Sequence, residues 1–157
     1  MKEIRTQTLE ETVQLGRTLA ASFSQGNCIL LKGEVGMGKT ELARAIIRAL
    51  CRDADLEVTS PTFTLAQDYS GFDAAGKPVS IWHYDLYRVE HREELMELAL
   101  DEAFAHSIVL VEWPENAPTH FWPEDAMIIN ITAGKNEFER IFAISENEKQ
   151  DYAPSSL

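Results

Sequence analysis

Residues 33–40 read Gly-Glu-Val-Gly-Met-Gly-Lys-Thr and match the pattern Gly-x-x-x-x-Gly-Lys-[Ser/Thr] at every fixed position. An apolar run, residues 28–32, precedes this loop as a buried strand would, and apolar residues at helical spacing follow it up to residue 50. Glycines allow consecutive backbone N–H groups to converge on phosphate oxygens, and a helix that begins there adds the positive end of its dipole. The stretch therefore predicts a nucleotide-phosphate site between a strand and a helix.

The two side chains that close the loop have separate predicted roles. Lys39 is long enough to reach the outer phosphates of a nucleotide, and the hydroxyl of Thr40 can ligate a magnesium ion. The remaining positions contribute mainly backbone N–H groups. The candidate nucleotide-binding residues are Gly33, Glu34, Val35, Gly36, Met37, Gly38, Lys39 and Thr40.

Composition limits the classes of protein that can carry this loop. At 157 residues the chain predicts one domain, residues 1–145, followed by a polar tail, residues 146–157. A formal net charge of −12 argues against autonomous binding to nucleic acid and fits docking onto a basic protein partner. Two cysteines outside any Cys-x-x-Cys pair, no signal peptide and no membrane span predict a cytoplasmic protein without disulfide or zinc.

Hydrophobic periodicity predicts alternating helices and strands. Thr8 and Glu11 resemble a capping box, and an apolar stripe continues from Leu9 to Phe23. Further helices are predicted after the phosphate loop, from about residue 92, and over residues 100–105. Strands are predicted at residues 2–6, 28–32, 56–59, 65–69, 79–84, 108–111, 127–131 and 138–144.

These elements predict a three-layer α/β domain of the P-loop NTPase type. The strand before the phosphate loop and the strand at residues 108–111 should lie parallel at the centre of the sheet. Turns at residues 71–77 and around Gly134 predict two hairpins, at 65–84 and 127–144, which add antiparallel strands. We therefore expect a mixed, mainly parallel central sheet.

Two carboxylates end apolar strands and are candidates for the chemistry of the site. Glu112 closes the strand at residues 108–111, where an acidic side chain either points into the ligand crevice or faces water. Asp85 ends another strand, and it either shares the metal or caps the turn that leads to Arg88. With Lys39 these are the predicted catalytic residues, and with Thr40 they are the predicted metal ligands.

Four neighbouring side chains have two interpretations each. Thr62, in a Ser-Pro-Thr loop, either senses the terminal phosphate or forms an ordinary turn. Arg88 either stabilises phosphate charge or pairs with the glutamates at positions 90, 93 and 94, which is the commoner outcome. His83 is expected to pack within its strand rather than to act in catalysis. Trp113 is either a core residue or an exposed contact.

Other nucleotide-binding classes fit the sequence poorly. Residues 73–76 match the Asp-x-x-Gly motif of GTPases but lie in the predicted hairpin turn, and no Asn-Lys-x-Asp guanine motif occurs. Small-molecule kinases of this fold bring arginines from a late lid onto the phosphates, whereas only Arg140 follows Arg92 here. The Leu-Ser-Gly-Gly signature of transporter ATPases is also missing. An ATP-hydrolysing protein remains the best fit.

Four stretches in order, residues 33–40, 60–65, 83–88 and 111–115, resemble those of the bacterial TsaE (YjeE) family from about residue 9 to residue 140. The resemblance implies a P-loop ATPase with weak intrinsic activity that uses ATP and Mg²⁺. It also implies work beside TsaB and TsaD, which install the threonylcarbamoyl group on adenosine next to the anticodon of tRNA. We expect the acidic chain to meet tRNA only indirectly, through that complex.

The resemblance carries roles to individual residues. It gives Lys39 and Thr40 the phosphate and magnesium roles, and it gives Asp85, Glu112 and Trp113 the roles of functional carboxylates and a neighbouring tryptophan. It makes Ser60, Thr62 and Thr64 a nucleotide-sensing switch loop, and it suggests Leu9 and Lys135 for the adenine pocket. Glu41 departs from the second threonine that many relatives carry after the loop.

Two functions use the same pocket. One is an ATPase whose hydrolysis supports multiple turnover of the partner complex. The alternative is a nucleotide-dependent binding module, in which ATP orders the switch loop and hydrolysis is incidental. Glu112 favours the ATPase, because a pure binder needs no carboxylate placed to polarise water.

Overall fold

Seven β-strands and four α-helices, with two short 3-10 helices between the fifth and sixth strands, lie within residues 1–145, the part of the chain that the computed structural model describes. The predicted polar tail, residues 146–157, lies outside the described residues, so the division of the chain into domain and tail stays a prediction. The strands are β1 (Lys2–Thr6), β2 (Cys28–Lys32), β3 (Ala66–Phe72), β4 (Pro78–Asp85), β5 (Ser107–Glu112), β6 (Met127–Ala133) and β7 (Arg140–Ser145). The helices are α1 (Leu9–Ala20), α2 (Lys39–Leu50), α3 (Arg92–Met96) and α4 (Leu100–His106).

The strands form a single mixed sheet in the order β1-β7-β6-β2-β5-β4-β3. The four central strands, β6, β2, β5 and β4, are mutually parallel. At one edge β3 pairs with β4, and at the other β7 pairs with β6 and β1 with β7, all antiparallel. The prediction of a parallel centre with antiparallel hairpins is confirmed, and the carboxyl ends of the central strands meet at one edge of the sheet.

Strand alternation divides the core between the two faces of the sheet. Ile29 and Leu31 of β2 pack on one face with Leu42 and Ile46 of α2, and α1 covers the same face. Leu30, between them in sequence, packs on the opposite face against the layer that includes α3 and α4. Apolar residues on both faces are what a sheet covered by helices on both sides requires, so the predicted three-layer arrangement is confirmed.

The first helix begins where its cap residue predicts. The Thr8 hydroxyl accepts a hydrogen bond from the Glu11 N–H at 3.1 Å. The Glu11 carboxylate accepts from the backbone of Gln7, at 3.3 Å and 3.4 Å, so it reaches one residue further back than a capping box requires. The helix ends at Ala20, and Phe23 is buried just after it.

The strand predicted at residues 56–59 is wrong. This segment has no strand partner and runs beside α2 instead. Arg44 donates from Nε to the carbonyl oxygen of Val58 at 3.1 Å, and Arg48 does the same to Leu56 at 2.8 Å. The backbone acceptors that a ladder would use are therefore taken by side chains of a helix, which the local sequence does not reveal.

The turn between β3 and β4 accounts for the accidental GTPase-like motif. One oxygen of the Asp73 carboxylate accepts from the N–H groups of Ala75 and Lys77, both at 2.9 Å. This is the local hydrogen bonding of an Asx turn, which closes the hairpin as predicted. Within residues 1–145, none of the helices combines the length and the apolar character needed to cross a membrane.

Candidate nucleotide site

The loop between β2 and α2 opens onto a cleft at the carboxyl edge of the parallel strands. Gly36 and Gly38 adopt φ angles of 82° and 104°, and Gly38 is the N-cap of α2. Nothing lies within 4 Å of a Cβ built on either glycine. Glycine is therefore required at these two positions by the positive φ angle and not by crowding. The space in front of the loop is open.

This cleft has a volume of about 440 Å³. It brings together the phosphate loop, residues 60 and 62, and the carboxyl ends of β4 and β5. Its lining consists of Val35, Gly36, Gly38, Lys39, Thr40, Glu41, Ser60, Thr62, Asp85, Tyr87, Glu112 and Trp113. Residues from four separate stretches of sequence thus share one concave surface, as ligand sites at strand ends do.

Lys39 lies back against its own loop. Its Nζ donates to the carbonyl oxygens of Gly33 and, at 3.0 Å, Glu34, and lies 4.1 Å from the centre of the Trp113 ring. Burial lowers the pKa of Lys39, against the opposing pull of nearby carboxylates, of which Glu112 is the strongest. To reach a phosphate, the ammonium group must exchange these carbonyl oxygens for phosphate oxygens. Trp113 is half-buried over the Lys39 ammonium group, so it is neither a fully buried core residue nor a freely exposed contact, the two alternatives that the sequence left open.

Glu112 connects the loop to the sheet. One carboxylate oxygen accepts the Thr40 hydroxyl at 2.7 Å, and the other lies 2.7 Å from Nε2 of His83. Only 2 % of Glu112 is exposed, which excludes the alternative of a strand-end glutamate that faces water. Because the Thr40 hydroxyl donates its proton to the carboxylate, its oxygen lone pairs remain available to a cation.

Asp85 caps the turn, one of the two roles weighed from the sequence, and it also holds the Ser-Pro-Thr loop, while its share in a metal site stays a prediction. One of its oxygens accepts the backbone N–H of Tyr87 at 3.0 Å, which caps the turn after β4. The other accepts the hydroxyls of Ser60 at 3.1 Å and Thr62 at 2.9 Å. Asp85 stands opposite Glu112 across β4 and β5, so one strand end holds the Ser-Pro-Thr loop and its neighbour holds the phosphate loop.

The residues present fit a magnesium ion that arrives with a nucleotide. Among residues 1–145, no group of three or more His, Cys, Asp or Glu side chains could hold a metal by itself. The Thr40 hydroxyl and the carboxylates of Glu112 and Asp85 offer oxygen atoms at the same edge of the sheet. Mg²⁺ prefers such oxygens and completes its shell with water and substrate phosphates, so a partial protein set suits it. Their assignment as metal ligands stays a prediction.

Six predicted site residues are not part of the cleft lining: Gly33, Glu34 and Met37 of the phosphate loop, and Leu9, Thr64 and Lys135 outside it. Thr64 is exposed and lies beyond Thr62 in the loop. Leu9, 58 % exposed at the start of α1, lines a separate cavity between α1 and α2. Lys135 is exposed in the turn between β6 and β7. The suggested roles of Leu9 and Lys135 in binding adenine, and of Thr64 in switching, stay predictions.

Two features of the site escaped the sequence analysis. Arg88 places its guanidinium 4.2 Å from the ring centre of Phe63, and within residues 1–145 it forms no ion pair with the glutamates at 90, 93 and 94, so the predicted surface pair is wrong. Phe63 itself is 80 % exposed beside Thr62. His83 is packed in its strand as predicted, but its contact with Glu112 was missed, because residue spacing cannot show which strands are neighbours.

The parallel strands, and the loop that joins β2 to α2, define a domain of the P-loop NTPase fold. A family model, Threonylcarbamoyl adenosine biosynthesis protein TsaE, matches residues 6–142, and the chain belongs to this TsaE family. The predicted family resemblance is confirmed.

Individual relatives agree with the family match. The tRNA threonylcarbamoyladenosine biosynthesis protein TsaE of Rickettsia conorii is 36% identical over 94% of this chain and 80% of its own length. The protein of the same name from Bacillus subtilis is 31% identical over 94% of this chain and 89% of its own. The crystal structure of Bacillus subtilis YdiB superposes with a TM-score of 0.73, covering 95% of this chain and 87% of that one at 24% identity, and it shows the shared fold.

Proposed function

We propose that the protein binds and hydrolyses ATP with Mg²⁺ and thereby supports tRNA threonylcarbamoyladenosine formation together with TsaB and TsaD. The observation that carries the hydrolytic part is the hydrogen bond between Thr40, at the end of the phosphate loop, and Glu112, at the end of β5. The pathway and the partners come from family membership and from the names of the relatives.

The loop supplies the binding energy in this proposal. Backbone N–H groups of residues 35–39 and the start of α2 favour the negative charge of phosphates. Lys39 contributes a cation that leaves the carbonyl oxygen of Glu34 for the outer phosphates. Thr40, Glu112 and Asp85 would hold a magnesium ion that arrives with the nucleotide, and such an ion would offset the charge that develops on the transferred group. The Thr40 hydroxyl lines the cleft and donates to Glu112.

The carboxylate of Glu112 supports the chemical step. It is buried, is held at both oxygens, and lies at the carboxyl end of a central strand next to the loop. A carboxylate at this place can orient an attacking water and accept its proton, which a protein that only binds nucleotide does not need. Asp85 connects the same edge of the sheet to residues 60 and 62, which could transmit the state of the nucleotide to a partner.

The proposal is tested by Mg²⁺-dependent ATP hydrolysis, measured for the protein alone and with TsaB and TsaD, each with and without tRNA. We expect weak hydrolysis by the protein alone and a higher rate in the assembly.

The Lys39→Ala variant should lose nucleotide affinity at least tenfold, since it removes the only side-chain cation of the phosphate loop. Lys77→Ala, an exposed lysine in the β3–β4 turn, is the matched control and should bind normally. Normal binding by Lys39→Ala would contradict the proposed site.

The acidic charge leads to a separate expectation about tRNA. With a net charge of −12, the protein should contact tRNA through its partners rather than alone. Filter binding at physiological salt should show no sub-micromolar affinity for tRNA unless TsaB and TsaD are present. Tight binding by the isolated protein would contradict this part of the proposal.

The second candidate function is a nucleotide-dependent binding module in which hydrolysis is incidental. The observation that favours it is the link from Asp85 to Ser60 and Thr62, next to the exposed ring of Phe63. A variant that binds ATP without hydrolysing it separates the two functions. If Glu112→Gln supports repeated turnovers of tRNA modification as the parent does, the binding module is correct and hydrolysis is dispensable.

A further inference from the structure

We propose that His83 is a positioning residue that holds the Glu112 carboxylate in the orientation from which it accepts the Thr40 hydroxyl. This inference rests on the proposed function, since it concerns the same carboxylate. It is carried by the position of the imidazole, by its complete burial and by a ring nitrogen that has no partner within residues 1–145.

The two side chains meet across neighbouring parallel strands. In the β4–β5 register, His83 lies opposite Leu110 and Asp85 lies opposite Glu112, so His83 and Glu112 are diagonal neighbours. Side chains two residues apart in a strand share a face. His83 therefore projects on the α2 face together with Glu112, and its Nε2 lies 2.7 Å from one carboxylate oxygen. This distance is typical of a hydrogen bond to an ionised group.

The ring nitrogen without a partner among residues 1–145 indicates which of the two imidazole nitrogens carries the hydrogen. His83 is fully buried, and its Nδ1 has no hydrogen-bond partner among residues 1–145. An ionised carboxylate can only accept, so Nε2 must carry a hydrogen to bond Glu112. A hydrogen on Nδ1 as well would leave a buried donor unsatisfied, which costs more than an unused lone pair. The geometry therefore selects the Nε2–H tautomer.

Glu112 is thus fixed from two directions by different elements. Thr40 donates to it from the start of α2, and His83 donates to it from β4. Removing the imidazole donor leaves one oxygen of a buried carboxylate unpaired and lets the group rotate away from Thr40. A displacement of about 1 Å at a catalytic group can lower a rate on the order of 100-fold. Nucleotide affinity should change little, because the loop backbone and Lys39 supply it.

Two substitutions separate positioning from packing. His83→Leu fills the buried space without a donor, whereas His83→Gln retains an N–H close to the place of Nε2. We expect His83→Leu to lower kcat for ATP about 10-fold to 100-fold and to raise the Mg²⁺ concentration for half-maximal rate, while KM for ATP stays within about threefold. His83→Gln should restore kcat to within about fivefold of the parent. His106→Gln, an exposed histidine at the end of α4, is the control and should match the parent.

The readouts that would overturn the proposal are distinct from a failure of the fold or of the ATPase function. Equal losses of kcat and thermal stability in His83→Leu and His83→Gln would assign His83 to packing alone, and a normal kcat in a folded His83→Leu would remove any role. If the parent itself does not hydrolyse ATP, the proposed function fails. The His83–Glu112 bond is still tested by nitrogen NMR of the parent, in which the Nε2–H tautomer should appear and the Nε2 signal should shift in Glu112→Gln. A hydrogen on Nδ1 would contradict the proposal.

Discussion

The two faces of the central sheet use the same strand alternation for different purposes. On the α2 face, β4 presents His83 and Asp85 and β5 presents Glu112, each hydrogen-bonded at the edge of the cleft. On the opposite face, the residues between them, such as Tyr84 and Val111, pack in an apolar core under the layer that includes α3 and α4. Each strand thus supplies chemistry to one layer and packing to the other, and substitutions on the two faces should have separable effects.

The largest expected effect is on the α2 face. Glu112→Gln keeps the shape of the side chain but removes the charge that would orient and deprotonate water, so the hydrolysis rate should fall on the order of 1000-fold. Its ATP affinity should stay within about threefold, because the phosphate loop is intact. Rates in single-turnover assays check this. Glu102→Gln, an exposed residue of α4 on the opposite face, is the matched control. Equal rates for Glu112→Gln and the parent would remove Glu112 from the mechanism.

On the opposite face, a core substitution should lower the stability of the fold and leave the hydrolysis rate unchanged. Leu100, 6 % exposed in α4, packs in the core cluster under that face. Leu100→Ala should lower the free energy of unfolding by about 3 kcal/mol through lost burial and the cavity that remains. Urea unfolding measures the loss, and hydrolysis per folded molecule should stay at the parent level. A large fall in kcat at full folding would show that the two faces are coupled.

A smaller effect should distinguish the two threonines, Thr62 and Thr64, of the loop that holds the Ser-Pro-Thr motif. Thr62 donates to Asp85, whereas Thr64 is exposed and does not line the cleft. Thr62→Val should slow hydrolysis in the TsaB–TsaD assembly about fivefold and should speed amide hydrogen exchange in residues 60–64, since one hydrogen bond of about 1 kcal/mol is lost. Thr64→Val is the internal control. The reverse order of the two variants would mean that Thr64 is the sensor of this loop.

The smallest effect concerns Tyr84, one residue before Asp85 but on the opposite face. Its hydroxyl donates to the carbonyl oxygen of Leu98 at 3.2 Å, so Tyr84→Phe should cost about 1 kcal/mol of stability at pH 7 without changing hydrolysis. Burial raises the pKa of Tyr84 to about 12, aided by Asp68 and Cys28.

The direction of the pH effect follows from this raised pKa. The folded state favours neutral Tyr84, so the raised pKa contributes to the free energy of unfolding fully below pH 10. This contribution is lost as the pH rises from 10 towards 12, because in that interval the tyrosine ionises in the unfolded chain before it ionises in the folded protein. The free energy of unfolding of the parent should therefore fall more steeply in this interval than that of Tyr84→Phe. Parallel pH profiles of the two proteins would contradict the burial effect.

Comparison of the expected and observed elements shows which errors local patterns cannot avoid. Strand-like residues 56–59 failed as a strand because Arg44 and Arg48 occupy their carbonyl oxygens from α2. Arg88 failed as a surface ion-pair partner because its guanidinium lies over Phe63, a residue 25 positions earlier in the chain. In each case a side chain from another element decided the outcome, and such contacts depend on packing rather than on neighbours in sequence.

The sequence by itself determined the phosphate loop, the strand and helix around it, and the positions of Asp85 and Glu112 at strand ends, because backbone conformation and periodicity are local properties. Only the tertiary structure decided what those carboxylates contact. Glu112 joins Thr40 from 72 residues away and His83 from 29, and Asp85 holds Ser60 from 25. Those bonds exist because β5 lies between β2 and β4 in the sheet, and strand order is set by the packing of the whole core.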